Sequence, residues 1–208
     1  HILSDEEEKL LAQAGEMAQA PDTIFSMFND ADLRFADAID SSGVRHPLSK
    51  GNFTSYEESG DRCLRRSAFE NLYAQYGAYR NTIAAVLTAQ VKQLQFFAQA
   101  RRYPSSLHCS LDASNVPVEV YTNLIDTVHR NLDKMHRYVG LRKRLLGVES
   151  LHMYDVYAPL VQTQPRRIPF EEAKRTVYEA LAPLGQAYQL ILREGYDNRW
   201  IDVYENVG

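Results

Sequence analysis

Along much of this chain apolar residues recur at steps of three and four, and short polar or proline-bearing segments separate the runs. The longest run is Cys63–Ser106. Within it Phe69, Leu72, Tyr73 and Tyr76 share one side of a helix. After a break near Gly77 the pattern resumes as Ile83, Leu87, Val91, Leu94 and Ala98. Phe96 and Phe97 widen that face, which predicts burial against more than one partner. Pro104 marks the stop, because the residue before a proline is pushed out of the helical region.

A second run starts at Asn115-Val116-Pro117, where proline suits a first turn. Tyr121, Leu124, Ile125, Val128, Leu132, Met135, Val139 and Leu146 follow, and Gly147 is a natural C-cap. The spacing predicts one long amphipathic helix here. Farther on, Pro169 starts a helix carrying Ala173, Val177 and Leu181, and Pro183 kinks or splits it. Leu184, Tyr188 and Ile191 continue that pattern to a stop at Gly195. Trp200–Tyr204 is compatible with a strand or with a terminal helical turn. His152–Leu160 is an aromatic, polar connector that leads into a loop at Pro165-Arg166-Arg167.

Before the central run the elements are shorter. Ser4 followed by Asp5-Glu6-Glu7-Glu8 is an N-cap with an acidic first turn, which favours the positive end of a helix dipole. Ala20-Pro21-Asp22 breaks the chain ahead of a short helix from Thr23. Leu33–Ile39 approaches alternation, Ser41-Ser42-Gly43 makes a turn and Val44–Leu48 returns, the pattern of a small β-hairpin. Ser49–Gly60 is polar and reads as a loop with at most a short extended piece or helical turn. The expectation is a mostly α fold, a multi-helix array with a small β-hairpin near the N-terminus. It divides into a segment 1–60 of small helices plus hairpin and a helical lobe 61–208.

Composition narrows the function classes. A length of 208 residues with 45% hydrophobic content is enough for a real core. The net charge of −4 argues against a nucleic-acid partner, which draws on clustered Lys and Arg. The clusters Arg62/Arg65/Arg66 and Arg137/Arg142/Lys143/Arg144 read as helix-surface charge. Two cysteines, Cys63 and Cys109, make no disulfide framework, and no apolar run approaches the roughly 20 residues that span a bilayer. No signal peptide is recognisable, so the expected location is cytoplasmic, without a membrane partner. The chain opens with His1 in place of Met, which suggests a fragment.

The chain contains no HExxH, P-loop, GxSxG or dinucleotide fingerprint. His129, Asp133 and His136 have the spacing of metal ligands on adjacent helical turns, or flank the apolar stripe as ordinary boundary residues. His152, Tyr154, Asp155 and Tyr157 are dense in hydrogen-bonding aromatic groups. They line a groove whose tyrosine hydroxyls meet peptide carbonyls, or they are satisfied polar groups at a helix-to-loop junction.

The ordered set Asn81-Thr82, Ala84, Val91-Lys92, Phe97, Ala100-Arg101, Tyr103 and Ser105-Ser106-Leu107 resembles oligoendopeptidase F, of the thimet-oligopeptidase-like zinc metallopeptidases. Val116-Pro117-Val118-Glu119-Val120-Tyr121, Leu124-Ile125, Thr127-Val128-His129 and His136-Arg137-Tyr138 strengthen it. So do Leu141-Arg142-Lys143, Leu151-His152-Met153-Tyr154-Asp155 and Trp200-Ile201-Asp202-Val203-Tyr204-Glu205-Asn206.

The resemblance implies a bilobed helical protein with a deep channel. In that family an HExxH helix and a downstream Glu hold zinc, and zinc activates the attacking water. All of those residues would follow Gly208, so the chain is expected to be a non-catalytic N-terminal portion. It would carry no catalytic residue and no metal ligand, and zinc would belong to the intact protein. As one lobe it would wall a channel for short peptides, with His152, Tyr154 and Tyr157 as substrate-binding candidates. The missing C-terminal catalytic part is its expected partner, and apolar surface meant for that part would drive self-association. The alternatives are a stand-alone helical module that binds a protein or peptide, and a small metal-binding bundle.

Overall fold

The computed structural model describes residues 2–161 and 168–203, so the loop at Pro165-Arg166-Arg167, the opening His1 and the end of the tail from Tyr204 lie outside the described residues. The chain falls into two compact units, His1–Leu160 and Val161–Val207.

The first unit begins with α1 (Asp5–Ala18), whose start is a capping box between Ser4 and Glu7. The next helix, α2 (Ala20–Met27), takes Pro21 into its first turn and runs on as a π-helical turn, Phe28–Asp32. Proline therefore opens this helix instead of separating the two, since a first-turn N–H has no intrahelical partner to lose. The hairpin is present as two short antiparallel strands, β1 (Ala38–Ile39) and β2 (Arg45–His46), with Ala38 opposite His46 and Ile39 opposite Arg45.

The polar segment after the hairpin is not a loop but a helix, α3 (Lys50–Glu57). Ser49 accepts from the Asn52 backbone N–H while the Asn52 side chain accepts from Ser49 N at 2.8 Å. That reciprocal cap satisfies two otherwise orphaned donors and outweighs the poor helix propensity of Gly51 and Asn52. Its core side is carried by Phe53, Tyr56 and Glu57, too few apolar positions to show a period.

The central run forms two helices, α4 (Arg62–Ala78) and α5 (Arg80–Ala100), divided at Tyr79, two residues past Gly77. Then come α6 (Ser106–Asp112), α7 (Val118–Arg130) and α8 (Leu132–Leu145). The long helix expected over Pro117–Leu146 is thus interrupted at Asn131. The Asn131 side chain donates to the Thr127 carbonyl at 2.7 Å, and its own N–H turns to Val128 at 3.0 Å. Side-chain amides compete with the backbone ladder in this way. At the far end Gly147, at φ +64°, closes α8: its N–H reaches the Arg144 carbonyl and that of Val148 reaches Lys143, a Schellman pattern.

The core of this unit is small. Ala38, Leu48, Leu64, Ala68 and Leu72 are buried together, with Phe35, Phe53, Tyr56 and Tyr76 packed around them. Hairpin and α4 are also tied by polar bonds, Ile39 N to Ser67 Oγ at 2.9 Å and Ser41 N to Asp61 Oδ2 at 2.8 Å. A two-pronged Arg101–Glu8 pair at 2.8 Å joins the end of α5 to α1.

By contrast the apolar stripes of α7 and α8, and the middle of that of α5, are largely open to solvent. Leu87, Leu124, Val128 and Met135 are each more than half exposed. The chain exposes 15871 Å². Even two separate folded units of these sizes would expose only about 11,500 Å².

In the second unit Pro183 does split the helix: α9 (Phe170–Ala180) and α10 (Gln186–Asp197) flank a 3₁₀ turn, Ala182–Leu184. Gly185 makes the corner at φ +91°. Gly195 does not end α10 but sits in its last turn, where Trp200 folds back over it. Trp200–Val203 is neither strand nor helix. Among the described residues no helix is long and apolar enough to cross a membrane.

Candidate functional site

Three arginines of the first unit converge on one turn. After α8 the chain makes a 3₁₀ turn, Met153–Asp155, with His152 as its N-cap. The Asp155 side chain folds back to accept from His152 N at 3.0 Å, which closes the turn and leaves the carboxylate fully buried. A buried charge must be paired and hydrogen-bonded. The partners come from the first turn of α4, where Asp61 caps the helix by accepting from Cys63 N and Leu64 N. Arg62 and Arg65, three positions apart, then face the same way.

Arg62 donates Nε to Asp155 Oδ1 at 3.0 Å and Nη2 to Oδ2 at 2.9 Å, and Nη2 also reaches the Ser150 carbonyl at 3.0 Å. Arg65 donates Nη2 to Asp155 Oδ1 at 2.9 Å, Nε to the Tyr154 carbonyl at 3.0 Å and Nη1 to the Ser59 carbonyl at 2.8 Å. From α8, Arg142 donates Nη2 to the carbonyls of Asp155 at 3.1 Å and Ala158 at 2.6 Å. Arg65 and Arg142 are buried. Arg62 and Arg65, from a cluster read as helix-surface charge, thus clamp the buried carboxylate, and Arg142, from the other, holds the backbone of the same connector.

Burial alone pushes the Asp155 carboxyl up. The bonds from Arg62, the His152 N–H and Arg65 outweigh it and hold the group at about 2. Beside this pair lies Glu57, at the end of α3, with 2% of its surface exposed and Oε1 without a hydrogen-bond partner among the described residues. Burial pushes its carboxyl up to about 7, the positive Arg65 opposing and the negative Asp155 adding.

The three substrate-binding candidates occupy different settings. Tyr154 is buried, its ring stacked on His152 at 4.9 Å and 7°, covered by the Arg62 guanidinium at 5.4 Å and met edge-on by Phe69. His152 is exposed on the outer side of that stack, and Tyr157 is 59% exposed. The structure brings His152 and Tyr154 together, while Tyr157 stands on the solvent side of the same connector.

Sequence reasoning placed Asp155 in the cluster but did not find its arginine partners or Glu57. The separations of 93 and 90 residues to Arg62 and Arg65 lie beyond any local spacing rule. The one usable signal was two arginines at a helix start with no acidic residue one turn away on that helix.

His129 lies in the last turn of α7, whereas Asp133 and His136 lie on α8, all exposed, with the Asn131 interruption between them. Among the described residues no three His, Cys, Asp or Glu side chains gather closely enough to hold a metal ion. The described residues therefore do not fit a zinc site.

Comparison with known proteins bears on the whole chain. A family described as peptidase family M3 matches residues 55–208, and one described as oligopeptidase F matches residues 1–35. Oligopeptidase PepF of Bacillus subtilis is 42% identical over all of this chain and 31% of its own length. An oligoendopeptidase F homolog of Lactococcus lactis is 38% identical over all of this chain and 34% of its own. The crystal structure of oligoendopeptidase-F from Enterococcus faecium superposes with a TM-score of 0.76 at 42% identity, over 93% of this chain and 36% of that one. A putative peptidase from Chlamydophila abortus superposes equally well, at 37% identity over all of this chain and 35% of that one. The chain spans about a third of the length of the curated relatives it matches.

Proposed function

The chain belongs to peptidase family M3, and from that premise we propose that it is the non-catalytic N-terminal portion of a zinc-dependent oligoendopeptidase that cleaves short peptides. Zinc, which the family implies for intact enzymes, would be held by the part that follows. The observation that carries this reading is the exposed apolar stripe along α7 and α8, with Leu87, Val91 and Leu94 of α5, which has the period of a buried face and no cover among the described residues. The remaining two thirds of a relative-sized protein would supply that cover, and this portion would form one wall of the substrate channel.

Within it, the connector His152–Leu160 is the proposed peptide-contacting element. His152 and Tyr157 offer exposed rings, and the buried Tyr154 holds the His152 ring in place by stacking. Rigid support from the Asp155 clamp would let these rings meet a peptide without first being ordered.

The reading frame beyond Gly208 tests the proposal. An in-frame HExxH, with chelator-sensitive peptidase activity in the longer product and none in the 208-residue chain, supports it. A stop codon at Gly208, or peptidase activity in the isolated chain, overturns it. The exposed stripes equally suit a helical module that binds another protein, and the stop codon is the result that would favour that second reading.

A further inference from the structure

Among the described residues Asp155 and Glu57 are the two largest fully buried side chains, and of the two only Asp155 has all its oxygens hydrogen-bonded. Glu57 ends α3, where the carbonyl end of the helix dipole also disfavours a negative charge. The charged groups that face it are Arg65 from α4 and Asp155 from the 3₁₀ turn. Its neighbour on α3, Glu58, is exposed, and on the hairpin His46 is engaged with Asp40 at 2.8 Å.

We propose that Glu57 is a proton-operated latch on the Arg65–Asp155 pair: uncharged, it leaves Arg65 to Asp155 and the turn is held; ionised, it draws Arg65 away and the turn loosens. The proton passes to solvent. In the closed state Arg65 spends Nη2 on Asp155, Nε on Tyr154 and Nη1 on Ser59, so the guanidinium bridges α4 to the turn. Ionised Glu57 places a second negative charge against Asp155, and the two compete for one guanidinium. Because burial moves Glu57 into the neutral range, the change falls where the surface carboxylates are already ionised. The turn carries His152 and Tyr154, so the latch would set the order of the proposed peptide-contacting element. That last consequence rests on the reading of the connector as a peptide contact, whereas the latch itself does not.

The experiment is hydrogen exchange, followed by mass spectrometry, of the segment 150–158 in the full-length protein, with rates divided by their intrinsic pH dependence. Protection of this segment in the native protein is expected to fall about tenfold between about pH 6 and pH 8, and to stay level in Glu57→Gln. A level profile in the native protein, or an unchanged fall in Glu57→Gln, overturns the latch. A fall that persists in Glu57→Gln and disappears in His152→Gln assigns the switch to the imidazole and overturns it too. Should Glu57→Gln fail to fold, infrared difference spectra of the native protein decide. Loss of a protonated-carboxyl band over the same range supports the latch, and no such band at about pH 6 refutes it. If protection follows pH while KM for a short peptide does not, the latch stands and the peptide-contact reading fails.

Discussion

Replacing Asp155 by Ala tests whether one buried carboxylate organises the first unit. Asp155 accepts from Arg62 Nε and Nη2, from Arg65 Nη2 and from His152 N, and none of its surface meets water. Truncation leaves the Arg65 guanidinium, with 5% of its side chain exposed, facing a cavity with only the Tyr154 and Ser59 carbonyls as partners. Breaking a buried pair from one side costs about 3–5 kcal/mol, because the remaining charge stays desolvated. The acid limb gives an independent measure. A carboxyl at about 2 in the fold against 3.8 outside it is worth about 2–3 kcal/mol. The folded pKa is depressed, so this contribution is complete above about pH 4 and is lost as pH falls toward about 2. Urea unfolding followed by far-UV circular dichroism should show Asp155→Ala less stable by several kcal/mol near pH 6, with the gap to the native protein narrowing on acidification. A double variant, Asp155→Leu with Arg65→Met, should recover part of the loss, since neither charge then remains buried. A loss under about 1 kcal/mol, or a gap unchanged by acid, would refute the central role of this pair.

Three further outcomes can be checked on the same material. Leu72→Ala removes a core side chain packed with Ala38, Leu64 and Ala68, and should cost about 2–5 kcal/mol in the urea titration. Leu124→Glu with Val128→Glu places charge on the open stripe of α7. It should reduce self-association of the 208-residue chain in sedimentation velocity, with helicity unchanged, because neither side chain contributes to the buried core. Gly185→Ala forces a side chain into φ +91° and should cost about 1–3 kcal/mol in the second unit. The single tryptophan, Trp200, folded over Gly195, would report that loss as an earlier fluorescence transition.

Much of the helical layout was legible along the chain because its determinants are local. Ser4 with Glu7, the Gly147 stop and the Pro183 split each act within a few residues, and each stands where the pattern placed it. The hairpin was legible for the same reason, from alternation around Ser41-Ser42-Gly43. Local bonding also explains two misses. The Ser49–Asn52 cap makes a helix of a polar segment with little apolar period, and the Asn131 side chain interrupts a stripe whose period runs on unbroken. Periodicity reports which side of a helix is apolar, not whether the backbone ladder is continuous.

The candidate site was legible only as a cluster of residue types, His152, Tyr154, Asp155 and Tyr157. Which of them is buried, stacked or open depends on Arg62, Arg65 and Arg142 arriving from other helices. Arginine on a helix surface and arginine clamping a buried carboxylate have the same spacing, since pairing depends on three-dimensional approach. By itself, then, the order of residues determined helices, caps, hairpin and the family resemblance, all set by interactions a few residues long. Only the tertiary structure decided that Arg65 and Arg142 turn inward from otherwise exposed basic clusters, that Glu57 is sealed beside Asp155, and that the apolar stripes of α7 and α8 lie uncovered. Burial is a property of what surrounds a side chain, and those surroundings come from positions tens of residues away.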